Sequence, residues 1–249
     1  MNLKLHILAV LLLASQLSKA ETQILCIPFL GVFSFPSESL NAQTINWGTA
    51  VFSDLVDSKG NTLDNSYVFE LGSFVNGFIP NGTNTGQWYG NWQAFDAAAY
   101  NGVEAVGDDG IYGYFTSTVQ MNTAGTSESL AQTPGAISFE GLDAYIWVRN
   151  SNVAEHGSEW MLTKADGWVF PTAEQDCCGN DLPIEWSTSD LTVYNTPVWG
   201  SQGGITGGGE FTNTGIYTLQ TATFMPEPSS TLLSLVAGIL LCFRRKRIA

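Results

Sequence analysis

The chain is almost without histidine. Its 249 residues include two, His6 and His156. His6 lies in an apolar leader, so a Ser-His-Asp or Cys-His arrangement would have to be built on His156. The stretch "NSNVAEHGSEW" sets His156 among polar loop residues, and the expectation is a solvated loop histidine. A multi-histidine metal site cannot be assembled. Positive charge is also scarce. Six of the nine Lys and Arg sit at the two ends: Lys4, Lys19, Arg244, Arg245, Lys246 and Arg247. Between Glu21 and Met225, Lys59, Arg149 and Lys164 face 22 acidic residues, a net charge of −19. Such a surface repels nucleic acid and anionic lipid, so a nucleic-acid partner is excluded. It suits solubility outside the cell, or binding of divalent cations and of neutral or cationic polymers. Cysteine is sparse too, with four residues. Cys242 lies near the C-terminus, leaving Cys26 to bridge Cys177 or Cys178 in an oxidising compartment, or a strained vicinal bridge between the latter two. Zinc ligand spacing is absent, as are GxGxxG and the P-loop pattern.

The ends carry targeting features. "MNLKLHILAVLLLASQLSKA" has a charged start at Lys4, an apolar stretch from Ile7 to Leu13, and small residues at Ser18 and Ala20. This is the pattern of a secretory signal peptide, too short and wrongly flanked for a spanning helix. A second apolar run, Ile24 to Phe35, precedes "SLNAQ", which offers another cleavage site after Ala42 and would remove Cys26. Cleavage after Ala20 and after Ala42 are both open.

The middle of the chain is rich in aromatics and holds all eight Trp, so it is not a disordered acidic segment. Runs of β-branched and aromatic residues separated by turn formers read as strands. They include Ile45 to Val56, Tyr67 to Val75, Ile111 to Met121, Ala136 to Glu140, Ala144 to Asn150, Glu159 to Lys164 and Gly215 to Phe224, with "GWVFP", "LPIEW" and "TPVWG" between the last two. The first two runs predict a hairpin with a long loop. In "NTGQWYGNWQAFDAAAYNG", Trp88, Trp92, Phe95 and Ala99 fall at helical spacing, capped by Asn84 or Thr85 and ended by Asn101-Gly102. That predicts one helix against a sheet, with its Trp stripe in the core. The expected fold is therefore mainly β: an antiparallel β-sandwich, jelly-roll-like, with one short amphipathic helix. It would be a single domain over residues 43–224.

Candidate chemistry in this domain is thin. An EF-hand loop fails, since aligning Gly60 as the loop glycine puts Lys59 and Leu55 where acids are needed. "GDDG" (Gly107 to Gly110) and "DLVDSKGNTLD" (Asp54 to Asp64) could still give an irregular Ca²⁺ site, against plain turns. No cofactor is otherwise implied. Two carboxylates could hydrolyse a glycoside, but no spacing singles out a pair. Surface Trp or Tyr could stack on sugars, though sequence does not separate exposed aromatics from core ones. Asn81-Gly82-Thr83 fits the N-glycosylation pattern, which matters only in a host with that machinery.

The C-terminus reads "FMPEPSSTLLSLVAGILLCFRRKRIA". The apolar run from Leu232 to Phe243 would make a helix about 18 Å long, against a hydrocarbon core of about 30 Å. It is a marginal anchor, with the basic cluster Arg244, Arg245, Lys246 and Arg247 holding the end on the cytoplasmic side. The order Pro226-Glu227-Pro228, short apolar helix, basic cluster resembles the PEP-CTERM sorting signal, over residues 225–249. The resemblance implies an exosortase, a membrane-embedded cysteine transpeptidase-like enzyme, as the partner that recognises and processes the tail. The tail is then a substrate feature and not a catalytic one. It also implies a Gram-negative host that makes exopolysaccharide. "INWGTAVFSDLVDSKGNTLDNSYVFELGSF", "WYGNWQAFD" and "AYIWVRN" resemble the extracellular region of many proteins with that tail, a region without an assigned active site.

Together these features lead to the expectation of an exported, non-enzymatic envelope or matrix protein, anchored briefly in the inner membrane and then processed. A carbohydrate-binding module for exopolysaccharide is the alternative, and a glycosidase the more distant one.

Overall fold

The computed structural model describes residues 43–104, 111–135, 137–172, 182–191 and 195–224. The leader, the tail, Cys26, Cys177, Cys178 and Gly107–Gly110 lie outside these residues. The strands run β1 (Gln43–Gly48), β2 (Leu55–Val56), β3 (Val68–Phe74), β4 (Trp92–Ala98), β5 (Tyr100–Glu104), β6 (Ile111–Met121) and β7 (Tyr145–Arg149). They continue as β8 (Glu159–Thr163), β9 (Ile184–Ser187), β10 (Ser201–Gln202), β11 (Ile205–Thr206), β12 (Leu219–Gln220) and β13 (Ala222–Thr223). A one-turn helix, α1 (Trp88–Asn91), follows a 3-10 turn at Thr85–Gln87.

Three sheets result, in the orders β5-β6-β1-β9, β13-β8-β7-β3-β4 and β11-β10-β12-β2. Pairing is antiparallel except for β1 with β9 and β12 with β2. None of the three closes on itself among the described residues. The described residues are thus mainly β with one short helix.

Three expected elements come out differently. The hairpin from the first two runs does not form. β1 pairs with β6 and β9, while β3 pairs with β4 and β7. The long-looped hairpin is β3–β4, and its loop carries α1. The expected helix stops at Asn91, and Trp92 opens β4. The helical spacing of Trp88, Trp92 and Phe95 is coincidental, because the three side chains serve two different cores. Trp92 and Ala94 point to one face of the sheet and Phe95 to the other, which is strand alternation. The run Ala136 to Glu140 also forms no strand over its described residues.

The five-stranded sheet is buried on both faces. All five residues of β7, "YIWVR", and of β8, "EWMLT", are buried. On one face, Phe69, Leu71, Phe95, Ile146, Val148 and Met161 join Ile45, Trp47, Phe115 and Trp186 of the β5-β6-β1-β9 sheet in one core. Phe69 and Phe115 meet across it with centroids 4.7 Å apart. On the other face, Phe74, Trp92, Tyr145, Trp147, Trp160 and Leu162 pack under Trp88 and Trp199, which come from loops and α1. The sheet bends where the β3–β4 register shifts at Leu71/Gly72. A Cβ on Gly72 would lie 2.3 Å from the Gln93 carbonyl oxygen and 2.6 Å from the Trp92 ring, so only glycine permits this approach.

Each core holds one carboxylate that receives a tryptophan N–H. Trp47 Nε1 donates to buried Asp96 at 2.8 Å, and Ser129 Oγ donates to the other oxygen at 2.6 Å. Trp92 Nε1 donates to Glu70 at 2.7 Å, where Arg149 also binds both oxygens at 2.7 and 2.9 Å.

Candidate functional site

A groove of about 730 Å³ lies at one end of the five-stranded sheet. Its floor is the end of β3 at Ser73 and Phe74 and the start of β7 at Tyr145. One wall is made by the chain leaving β3. Asn76 and Gly77 both take positive φ, 58° and 70°, and Phe78 N–H donates to the Val75 carbonyl at 3.0 Å. This is the geometry of a type I′ turn, for which Asn-Gly is the favoured pair. The turn folds Phe78 back onto Phe74, with centroids 5.4 Å apart, and leaves Ile79 76% exposed.

Asn84 holds this wall in place. Its Oδ1 accepts from Asn81 N–H at 2.9 Å and from Trp88 Nε1 at 2.8 Å, and its Nδ2 donates to the Ile79 carbonyl at 2.9 Å. One side chain therefore ties the groove wall to a fully buried tryptophan of the outer core. Capping of a helix by Asn84 is not what happens: no side-chain cap bond forms there.

The opposite wall is polar. Asp143 precedes β7, and Lys164 and Asp166 follow β8. Lys164 Nζ donates to Asp143 Oδ2 at 2.6 Å and sits 5.4 Å from the centre of the Tyr145 ring. The side chains of this pair are 33% and 50% exposed, so solvent screens it and it is worth at most about 1 kcal/mol. Burial, and then the Asp143 carboxylate, push the Tyr145 phenol up to about 12, so it stays a neutral hydroxyl at ordinary pH. Asn195, Thr196 and Val198 complete the rim.

The residues expected from sequence distribute as follows. His156 is exposed in the loop before β8, a solvated histidine. All eight tryptophans are buried, so none offers a face for stacking on a sugar. The Asp54–Asp64 stretch carries β2 and then a turn that bridges back to it at Thr62. Asp57 Oδ1 accepts from Lys59 N–H and Asn61 N–H at 2.8 Å, and Ser66 N–H and Oγ–H donate to Asp64 Oδ1, lowering the pKa of that carboxyl. Among the described residues no three His, Cys, Asp or Glu converge on a metal position. Buried Glu159 is fully occupied as well. It accepts from Ser58 N–H at 3.1 Å, Ser58 Oγ at 2.5 Å, Thr221 Oγ1 at 2.8 Å and Thr223 Oγ1 at 3.0 Å. The sorting motif Pro226, Glu227 and Pro228, the basic cluster Arg244–Arg247, and Cys26, Cys177 and Cys178 lie outside the described residues.

The groove itself was not anticipated. Its residues come from four separate segments, which no local pattern joins. Two signals were available: the Asn76-Gly77 pair, and the scarcity of cations that makes Lys164 conspicuous. Among the described residues no helix is long and apolar enough to cross a membrane. No known protein family, curated protein or solved structure matches the chain.

Proposed function

We propose that the chain is an exported cell-envelope or extracellular-matrix protein, held at the inner membrane by its C-terminal tail and processed there, with no catalysis of its own. The observation that carries this reading is the order of the tail: Pro226-Glu227-Pro228, the apolar run Leu232 to Phe243, then Arg244 to Arg247. An exosortase is the proposed partner, and the membrane a transient one. Cleavage of the leader after Ala20 or after Ala42 leaves β1 intact, since it starts at Gln43. The core shared by the five-stranded sheet and the β5-β6-β1-β9 sheet supports a β-sandwich; the parallel β1–β9 pair departs from a jelly roll.

Replacing Pro226, Glu227 and Pro228 with alanine should leave the protein in the membrane fraction at its unprocessed mass. Processing and release that continue unchanged would sink the proposal.

A binding module for the host's polysaccharide is the second reading, and the groove favours it. Hydrolysis is the weaker extension, because Asp96, Glu70 and Glu159 are engaged in structural hydrogen bonds away from the groove. Of the two carboxylates within it, Asp143 is paired with Lys164 and Asp166 is exposed.

A further inference from the structure

We infer that the groove beside Phe78 and Lys164 binds an internal stretch of an uncharged polysaccharide. The inference rests on the binding-module reading and adds to it the ligand class and the contacts.

The two walls are chemically unlike, and a sugar ring has the same division. Its C–H faces are apolar, and its rim carries hydroxyls that both donate and accept. Half-buried Phe78 and exposed Ile79 supply the apolar wall, and Phe74 backs the Phe78 ring. Asp143, Lys164 and Asp166 supply the polar wall, with Thr196 exposed on the rim. Adjacent hydroxyls suit the ion pair. One can donate to the Asp143 carboxylate while its neighbour accepts from the Lys164 ammonium. The pair is open enough to solvent that a ligand exchanges into it at little cost. The site is partly open to solvent rather than enclosed, so a chain can lie in it without threading an end inside.

Charge selects against acidic polymers. The groove has two carboxylates to one ammonium, in a region with 22 acidic and three basic residues. A polyanion would be repelled both locally and at long range. A peptide is disfavoured by the floor. β7 is hydrogen-bonded to β3 on one side and β8 on the other, so it has no free edge for strand addition.

The test uses the full-length protein, by affinity electrophoresis and calorimetry, with soluble neutral glucans and galactomannan, acidic alginate and polygalacturonate, and cationic chitosan oligomers. Neutral polymers alone should retard it. Phe78→Ala and Lys164→Met should each weaken that binding about tenfold. Ile79→Asp, on an exposed side chain, should do the same with an unchanged near-UV circular dichroism spectrum, which separates binding from folding. Preferred binding of an acidic or cationic polymer, or of an unstructured peptide in its place, overturns the ligand class while leaving a binding function. Neutral-polymer binding that survives all three substitutions overturns the groove assignment. No binding to any polymer overturns both this inference and the module reading.

Discussion

The two faces of the five-stranded sheet are buried by different means. The inner face is covered mainly by a second sheet, and the gap is filled mostly by Phe, Ile, Leu, Val and Met, together with Trp47, Trp168, Trp186 and a few loop residues. The outer face is covered by loops and a single helical turn, and it is filled by Trp88, Trp92, Trp147, Trp160 and Trp199. A sheet presents a regular surface that aliphatic side chains can match. Loops do not, and large rigid rings close an irregular gap with few residues and little rotamer entropy. The rings meet mainly edge to face, as Trp147 does with Trp160 at 89° and with Trp92 at 79°. The same irregularity leaves room at the end of the outer face, and the groove lies there.

The sharpest way to break this comparison is one large deletion on each side. Phe115→Ala in the inner core and Trp160→Ala in the outer core should each cost about 3–5 kcal/mol in urea unfolding. Trp160 is the larger side chain, yet loops can settle into its vacancy where two paired sheets cannot. Trp160→Ala should therefore cost no more than Phe115→Ala. A clearly larger loss at Trp160 would mean that the loop-covered face is as unyielding as the sheet-covered one.

A smaller test concerns Asn84, the link between outer core and groove. Asn84→Ala removes three hydrogen bonds but leaves the Trp88 ring in place. Trp88 Nε1 loses its acceptor in a part-buried position, so a loss of about 1–3 kcal/mol is expected. Proteolysis should then become faster in the Ile79–Asn84 segment, with the near-UV spectrum of the inner-core aromatics retained. Equal protection in both proteins would show that the wall is held by something other than Asn84.

These contrasts explain which parts of the structure sequence could reach. β3, β6, β7 and β8 were legible because their runs of aromatic and β-branched residues are long and bounded by turns. The segment after Trp88 was not. A strand buried on both faces loses the apolar–polar alternation that marks a strand, and its tryptophans then fit a helical period as well. Partner choice was hidden for a different reason. β1 is matched to β6 and β9 by packing between distant segments, so the nearest run was the wrong partner. For the groove, chemistry was visible at Lys164 and the turn at Asn76-Gly77, but not their meeting. The burial of all eight tryptophans could not be foreseen from composition, and it leaves sugar stacking to other rings, of which Phe78 lines the groove.

The least disruptive probe is alkaline pH, which acts on both cores at once. Burial, then nearby carboxylates, raise the pKa of Tyr67 in the inner core, as they do for Tyr145 in the outer one. Below pH 10, the ordinary value, both phenols are neutral folded and unfolded, and the contribution to stability is constant. Between 10 and about 12 the unfolded chain loses the Tyr145 proton while the folded one keeps it, so rising pH favours unfolding. Tyr67 has the same sign over a window that reaches higher. Stability should fall as pH rises above 10, and phenolate absorbance should lag behind that of free tyrosine until the Trp fluorescence reports unfolding. Tyr145→Phe should make the fall between 10 and about 12 shallower without abolishing it, because Tyr67 contributes there too, and should leave the part above 12 unchanged. Since Tyr145 is also a groove residue, the variant separates a packing role for its ring, which phenylalanine keeps, from a hydrogen-bonding role for its hydroxyl. Unchanged polysaccharide binding by Tyr145→Phe would place the ligand's polar contacts on other groove groups, with Asp143, Lys164 and Asp166 foremost.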